Sequence, residues 1–291
     1  MNEAAVVPGG APGELGSVEA SDGETLAYRL FAADPATRRG SVVHLHGIQS
    51  HGGWYVETAA ELARRGYSVF LADRRGSGRS TQARGDFASA DQLVDDVGSL
   101  VSAAGSDGAP TVLFGSCWGA RPAVGFAARS QGALSGLMLA CPALKATVDL
   151  EPLRKLQVFV GRGLRPGWRV PIPLRPEDFT SNPPYLEFIR RDPLSLHEVT
   201  ARFFFNQFFW DRRLLAERDI SLPVLLMQAG EDDVVDVAAV QSWYDRLASP
   251  QKEYVLYEGF GHILDFEPDR QRYWDDLVGW LDGVTEGAAA A

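Results

Sequence analysis

The sequence predicts an α/β fold in which helices cover both faces of a mainly parallel sheet. Short apolar runs alternate with amphipathic stretches along most of the 291 residues. Strands and helices that alternate with short connections indicate βαβ units. The runs Val-Val-His-Leu at 42–45 and Val-Leu-Leu-Met at 224–227 are apolar on both faces. Parallel strands that are covered by helices have this character.

The individual elements follow from these runs in chain order. The stretch at 55–65 has helical periodicity and ends before Gly66, a common stop signal for a helix. The predicted strands, all short and apolar, are 26–32, 41–45, 68–72, 111–114, 136–140, 223–227 and 253–257. The predicted helices, all amphipathic, are 55–65, 90–104, 120–130, 237–247 and 270–281.

One stretch breaks the alternation and sets the domain organisation. Residues 145–220 contain several prolines, many arginines and no strand pattern. An insertion of about 75 residues is too long for a plain loop. We predict a helical cap over an active site; the alternative is a helical insertion packed on the sheet edge. The predicted organisation is a disordered start (1–16), a core (17–143 and 221–285), a cap (144–220) and a disordered tail (286–291).

Composition excludes several classes of function. The chain has 28 basic and 38 acidic side chains, a net charge of −10. Nucleic acids and anionic membranes bind basic patches, so we expect neither as a partner. The sequence has no long apolar run and no signal peptide. With only two cysteines, Cys117 and Cys141, we expect no disulfide framework and a cytoplasmic location.

The segment Gly115-Ser116-Cys117-Trp118-Gly119 lies between a predicted strand and a predicted helix. Glycines two residues to either side let the chain turn sharply, so that the central side chain is held in a strained, exposed position. The helix N-terminus beneath it favours negative charge. The pattern indicates Cys117 as a nucleophile, and the alternative is a buried cysteine in a Gly-rich turn.

Two further strand ends supply partners for this thiol. Acidic residues at 231–233 follow one strand and His262 follows the next, which gives the order nucleophile, acid, base. The Gly-x-x-Asp spacing favours Asp233 as the acid over Asp232. A backbone N–H in the segment at 46–48 and the N–H of Trp118 would form an oxyanion hole.

These motifs resemble the α/β-hydrolase superfamily, in its branch of monoacylglycerol lipases and serine aminopeptidases, over residues 18–283. Three segments show the resemblance: His46-Gly47-Ile48-Gln49-Ser50-His51-Gly52-Gly53-Trp54-Tyr55, Asp73-Arg74-Arg75-Gly76-Ser77-Gly78-Arg79-Ser80 and Arg191-Asp192-Pro193-Leu194. The resemblance implies an eight-stranded, mostly parallel sheet with a helical cap. It also implies Cys117 as the nucleophile, Asp233 as the acid, His262 as the base, and Ile48 and Trp118 as the oxyanion donors.

The chain departs from the branch's pattern at two positions. Gln49 stands where a glycine is usual beside the oxyanion hole, and Cys117 stands where the branch has serine. Dienelactone hydrolases and polyhydroxyalkanoate synthases also carry cysteine at this turn. An engineered replacement of serine is the alternative origin of Cys117.

The predicted cap has its own chemistry. Residues 144–220 carry 13 basic and 10 acidic side chains, although the whole chain is acidic. A solvated helical surface accounts for this charge; alternatively, the cap receives an anionic group such as the phosphate of a pantetheine carrier. The aromatic run at 203–210 either lines an acyl tunnel or forms the cap's own small core.

The sequence therefore predicts hydrolysis of an activated ester, lactone or thioester through an acyl group on Cys117. One alternative is an acyltransferase or cyclase that takes an acyl chain from a pantetheine carrier. Another is a non-catalytic binding protein on a hydrolase scaffold. The expected partner is a small acyl substrate, free or carrier-bound. We expect no cofactor and no metal, because the five histidines lack metal-ligand spacing.

Overall fold

The computed structural model describes residues 5–80, 82–148 and 150–289. Within them, eight strands form one sheet in the order β1-β2-β4-β3-β5-β6-β9-β10. The strands are β1 (Glu14–Glu19), β2 (Thr25–Phe31), β3 (Gly40–Leu45), β4 (Tyr67–Ala72), β5 (Thr111–Ser116), β6 (Gly136–Ala140), β9 (Val224–Ala229) and β10 (Lys252–Tyr257).

The sheet is antiparallel at one edge only. Strand β2 pairs antiparallel with β1 and with β4. All pairs from β4 to β10 are parallel. The central strands β3, β5, β6 and β9 are buried along their whole length, which confirms the prediction from their uniformly apolar sequences. The predicted α/β-hydrolase fold is confirmed.

Helices cover both faces of this sheet. They are α1 (Val56–Arg64), α2 (Ala90–Ala104), α3 (Ala120–Arg129), α7 (Val237–Asp245) and α8 (Gln271–Ala289). Side chains cap two of them at the N-terminus: Ser89 accepts a hydrogen bond from the Gln92 amide, and Asp236 accepts one from the Ala239 amide. No helix in the described part of the chain combines the length and apolar character that crossing a bilayer requires.

The segment between β6 and β9 contains three helices and a small antiparallel sheet. The helices are α4 (Pro152–Leu164), α5 (Pro183–Arg191) and α6 (Ala201–Ala216), and the strands are β7 (Arg169–Pro171) and β8 (Glu198–Thr200). We predicted no strand here, because three residues are too few to show an alternating pattern. We keep the name cap for residues 144–220; residue 149 lies outside the described residues.

Both predicted disordered ends need correction. Ala5 and Val7 are buried, the Val7 amide bonds to the Gly53 carbonyl, and strand β1 begins at Glu14. Arg29 donates hydrogen bonds to the carbonyls of Ala5 and Pro12. The Gly/Pro-rich composition of the N-terminal segment could not show that Arg29, a buried donor on strand β2, holds this segment in place. At the other end, helix α8 continues to Ala289. Residues 1–4 and 290–291 of the predicted tails lie outside the described residues.

Candidate active site

Cys117 lies at a sharp turn between strand β5 and helix α3. Its φ is +50°, a left-handed conformation that is strained for a residue with a side chain. A Cβ atom at Gly119 would lie 2.1 Å from the Leu45 carbonyl oxygen, and one at Gly115 would lie 2.7 Å from the Ala120 Cα. The two glycines are therefore required for the turn, as predicted from their spacing around Cys117.

The Cys117 side chain lies at the wall of a cavity of about 280 Å³ between the sheet and the cap. Ile48 and Trp118, the two predicted oxyanion donors, line the same cavity. The Trp118 backbone N–H lies against the Cys117 thiol and favours its charged form. The structure thus brings Cys117, Ile48 and Trp118 together at one point of the surface that a substrate would contact.

His262 reaches the same point from the loop after β10, and its acidic partner is Asp232. The His262 Nδ1 atom lies 2.9 Å from each carboxylate oxygen of Asp232. Because Nδ1 is engaged by Asp232, Nε2 remains for proton exchange. His262 Nε2 is buried, and the Cys117 thiol is the group with which His262 interacts besides Asp232.

The predicted acid, Asp233, is wrong: its side chain is exposed to solvent. Asp232 accepts hydrogen bonds from the backbone amides of Val234 and Val235, at 2.9 and 3.1 Å. These bonds turn the Asp232 carboxylate inward and leave the next side chain outside. The Gly-x-x-Asp spacing favoured Asp233, but two adjacent aspartates offer the same chemistry, and spacing alone does not show which side chain points inward.

The three groups act on one another's charges. Burial is the largest influence and raises the pKa of the Cys117 thiol, but the charge and hydrogen bond of His262 and the Trp118 amide together outweigh it, and the net pKa is lowered. Burial lowers the pKa of His262, whereas the negative charges of Asp232 and Cys117 raise it well above its ordinary value. The pKa of Asp232 is lowered because His262 outweighs the effect of burial. The arrangement favours a thiolate–imidazolium pair.

Cys141 lies directly beneath this pair, which the sequence did not reveal. The possible ligand atoms of Cys141, Asp232 and His262 all lie within 4.8 Å of one another. A metal would need Cys141 as a thiolate. Burial and the nearby Asp232 carboxylate instead raise the pKa of the Cys141 thiol well above its ordinary value. The Cys141 thiol is therefore protonated beside the His262–Asp232 pair.

A buried network holds the loop beside the oxyanion hole against the cap. His51 Nε2 lies 2.9 Å from Asp192 Oδ2, and both side chains are fully buried. Trp54 Nε1 and Ser195 Oγ donate to the same carboxylate, at 2.7 and 3.0 Å. Residue Gln49, which departs from the branch's glycine, donates its side-chain amide to the cap at Leu174.

The aromatic run at 203–210 lies on α6 and is divided between the two predicted roles. Phe203 and Trp210 are buried and pack against Trp118, with ring centroids 5.2 and 6.0 Å away. Phe204 and Phe208 line the cavity. One helix thus contributes Phe203 and Trp210 to the main core and forms an apolar wall beside Cys117. Phe204 and Phe205 pack against the cap's own small core of Val158, Val170 and Ala201.

Basic side chains outnumber acidic ones around the cavity. Arg121, Lys145, Lys155 and Arg212 line it together with one acid, Asp211. Arg121 and Asp211 form an ion pair at 2.6 Å. Four basic side chains and one acidic side chain thus line the cavity, within a chain whose net charge is −10.

Known proteins are similar along most of this chain. The sequence model of the family described as serine aminopeptidase, S33, matches residues 36–269. Phospholipase YtpA of Bacillus subtilis is 27% identical over 240 residues, covering 79% of this chain and 90% of that protein. A monoacylglycerol lipase of Mycolicibacterium smegmatis is 26% identical over 264 residues, covering 89% of this chain and 93% of that protein.

A solved structure shares the fold at low identity. The monoacylglycerol lipase of Paleococcus ferrophilus superimposes with a TM-score of 0.80 at 23% identity, covering 89% of this chain and 99% of that chain. Together with the match at 36–269, these comparisons identify the chain as a member of the serine aminopeptidase S33 family, with the α/β-hydrolase fold.

Proposed function

We propose that this protein hydrolyses an activated ester, lactone or thioester through an acyl group carried on Cys117. The observation that carries the proposal is the contact of His262 with Asp232 beside a thiol held at a strained turn. A nucleophile, a base and an acid that orients the base form the constellation used for acyl transfer. The cavity beside Cys117 provides the space for a substrate.

In the first half of the reaction, the Cys117 thiolate attacks the substrate carbonyl carbon and forms the S–C bond. The carbonyl π electrons move to oxygen, and the N–H groups of Ile48 and Trp118 stabilise that oxyanion. When the intermediate collapses, the bond to the leaving group breaks and protonated His262 delivers its Nε2 proton to that group. Asp232 keeps Nδ1 protonated and the ring oriented.

In the second half, neutral His262 takes a proton from water, and the resulting hydroxide attacks the thioester carbonyl. The C–S bond then breaks, the carboxylic acid leaves, and Cys117 departs as the thiolate while His262 holds the proton. This step restores the starting charges of both residues. A second nucleophile in place of water would give acyl transfer or cyclisation by the same route.

The thiol limits the class of substrate. In the tetrahedral intermediate a thiolate is a better leaving group than an alkoxide, so an ordinary alkyl ester tends to return to substrate. Thioesters and aryl esters have leaving groups that compete with Cys117, and in a lactone the release of ring strain favours opening. The apolar lining, including Phe204 and Phe208, suits an acyl chain. The relatives named as lipases and a phospholipase extend the candidates to lipid esters.

A second candidate function is acyl transfer from a carrier that bears a phosphate or another anion. The observation that favours it is the excess of basic side chains around the cavity, whose lining has four basic residues and one acidic residue. Oppositely charged groups at a cavity increase the rate at which a substrate arrives. Transfer instead of hydrolysis requires that the closed cap exclude water from the thioester.

The test uses an oxygen aryl ester and a thioester of the same medium-length acyl chain. We expect both to be cleaved faster than the matching alkyl ester, and chromatography with mass detection will separate acid from transfer products. Added hydroxylamine should divert the common acyl group to the hydroxamate in equal proportion from both substrates. Unequal proportions would show that no common acyl intermediate forms.

The reactivity of Cys117 tests the alternative that this protein binds a ligand without catalysis. A thiolate paired with His262 at a helix N-terminus should react with iodoacetamide at pH 6–7 much faster than a free thiol. Alkylation no faster than that of free cysteine, together with no turnover of any ester, would favour the binder.

A further inference from the structure

Arg74 is a buried cation beside the oxyanion loop, which we define as residues 46–48. It follows strand β4, and its guanidinium lies 4.7 Å from the centroid of the Trp118 ring and 5.8 Å from that of Phe203. Its Nη2 donates to the Ile48 carbonyl at 2.5 Å. Only 6% of the residue is exposed. Among the described residues, no carboxylate forms an ion pair with it, and its Nε makes no hydrogen bond.

The neighbouring arginine of the same sequence motif behaves differently. Arg75 is also buried, but it forms ion pairs with Asp22, Glu24 and Asp96. Its charge is therefore balanced within the fold. Burying a charge that no carboxylate pairs with is unfavourable. The buried position of Arg74 therefore needs an explanation other than the ion pairs of the fold.

Residue 74 holds the oxyanion loop at two points. The Arg74 backbone amide donates to His46 Nε2 at 3.1 Å, and His46 Nδ1 donates to the Gly47 carbonyl at 2.8 Å. The guanidinium holds the Ile48 carbonyl. The loop between these points touches the thiol, since a Cβ atom at Gly47 would lie 3.4 Å from Cys117 Sγ. Arg74 thus fixes the side of the oxyanion hole that faces Cys117.

The electrostatics agree with this geometry. Burial lowers the pKa of Arg74 to about 9, and the negative charge of Cys117 acts in the opposite direction. Arg74 therefore remains charged at neutral pH. Three other nearby groups act on the guanidinium of Arg74. Asp73 favours its charged form, whereas Arg84 and His46 disfavour the charged form. A serine in place of Cys117 would be neutral at rest and would offer this guanidinium no negative partner.

We propose that Arg74 is a positioning residue for the thiol nucleophile: its fixed positive charge stabilises the Cys117 thiolate and its hydrogen bond orients the Ile48 side of the oxyanion hole. The proposal rests on the proposed role of Cys117. The other titratable groups whose charges act on Cys117 or respond to it are His262, Asp232, Tyr55 and Cys141. His262 stabilises the Cys117 thiolate more strongly, and Arg74 adds a positive charge that does not depend on whether the imidazole is protonated.

The test is the pH profile of Cys117 alkylation by iodoacetamide between pH 5 and 9, with peptide mass mapping to separate Cys117 from Cys141. The variants are Arg74→Gln, Arg74→Met and Arg74→Lys. The control is Arg129→Gln, which removes a surface arginine paired with Asp95. We expect Gln and Met to raise the inflection by about one pH unit or more, which is about a tenfold slower reaction at pH 6.

Lysine keeps the charge, so Arg74→Lys should recover at least half of that shift, and Arg129→Gln should leave the profile unchanged. Unchanged profiles in the Gln and Met variants, or a shift in the Lys variant as large as in Gln, would overturn the proposal. Alkylation needs no substrate, so this result is independent of whether the predicted esters are cleaved.

Folding of the neutral variants is checked by circular dichroism in two backgrounds, with Cys117 and with Cys117→Ser. Neutral variants that fold only beside serine would support the proposal, because only the thiolate then needs the arginine. Neutral variants that unfold in both backgrounds would overturn it, because Arg74 would then serve the fold.

Discussion

His262 Nδ1 lies midway between the two carboxylate oxygens of Asp232, 2.9 Å from each, while the side chain of Asp233 is exposed to solvent. This contact pairs His262 with one of two adjacent aspartates, which we propose as the orienting acid. We predict that Asp232→Asn lowers kcat on an aryl ester by about 10³-fold or more, because the amide favours the wrong imidazole tautomer. The matched control, Asp233→Asn, should retain wild-type kcat within about twofold. Equal losses in the two variants would contradict the assignment.

The turn at Cys117 depends on the absence of a side chain at Gly119. A methyl group there would meet the backbone oxygens of Leu45 and His46 at 2.1 and 2.7 Å. We expect Gly119→Ala to lower the free energy of unfolding by at least about 3 kcal/mol, measured by urea titration. The control is Gly132→Ala, whose methyl group would meet no atom within 4 Å and should change stability by less than about 0.5 kcal/mol.

Asp192 connects the cap to the loop at 51–54 through a buried carboxylate. Replacing it with alanine would leave the donors on His51, Trp54 and Ser195 without their partner. We expect Asp192→Ala to destabilise the protein by about 3–5 kcal/mol in urea titration at pH 7. The control is Asp107→Ala, which breaks an exposed ion pair with Arg38 and should cost less than about 1 kcal/mol.

The same carboxylate predicts a pH dependence. Hydrogen bonding and the charge of His51 outweigh burial and lower the pKa of Asp192 to about 2, below its value of 3.8 in an unfolded chain. The stabilisation is therefore complete above pH 4 and is lost as the pH falls towards 2. The cost of Asp192→Ala should accordingly shrink at pH 2–3. A cost that is constant down to pH 2 would show that the native carboxylate is not preferentially ionised.

Asp265 lies in the turn after His262, and we expect its contribution to stability to depend on pH in the opposite direction. It is buried, accepts a hydrogen bond from Thr58, and burial raises its pKa to about 6. The stability that it contributes is therefore present below pH 4 and is lost as the pH rises through 6. We expect Asp265→Asn to stabilise the protein relative to wild type by about 2–3 kcal/mol more at pH 8 than at pH 4. Urea titrations at the two pH values measure this difference.

The sequence was sufficient for the central sheet because parallel strands covered on both faces are apolar throughout. It failed at β1, which is a largely exposed antiparallel edge strand, and at β7 and β8, which have three residues each. These strands depend on contacts that form only in the fold. The segment at 5–12 is ordered by Arg29 on a strand, and no local composition encodes that distant donor.

At the site, the glycines around Cys117 could be predicted because the turn requires them at a fixed spacing. Trp118 followed from its place after Cys117, Ile48 from the family resemblance, and His262 from its place after a strand. The acid could not be predicted, because Asp232 and Asp233 differ only in the direction in which the folded loop points them. The same limit applies to Arg74 and Cys141, which no spacing rule connects with Cys117 and which only the packed structure brings to it.

Whether Cys117 carries the acyl group can be measured directly. The protein is quenched in acid during turnover of an aryl ester, and its intact mass is determined. We predict a mass increase of one acyl group that maps to the peptide containing Cys117, is released by hydroxylamine and does not form in Cys117→Ala. In Cys117→Ser, the adduct should appear as an oxygen ester that resists neutral hydroxylamine. Full turnover by Cys117→Ala, or an adduct on any other residue, would contradict the account.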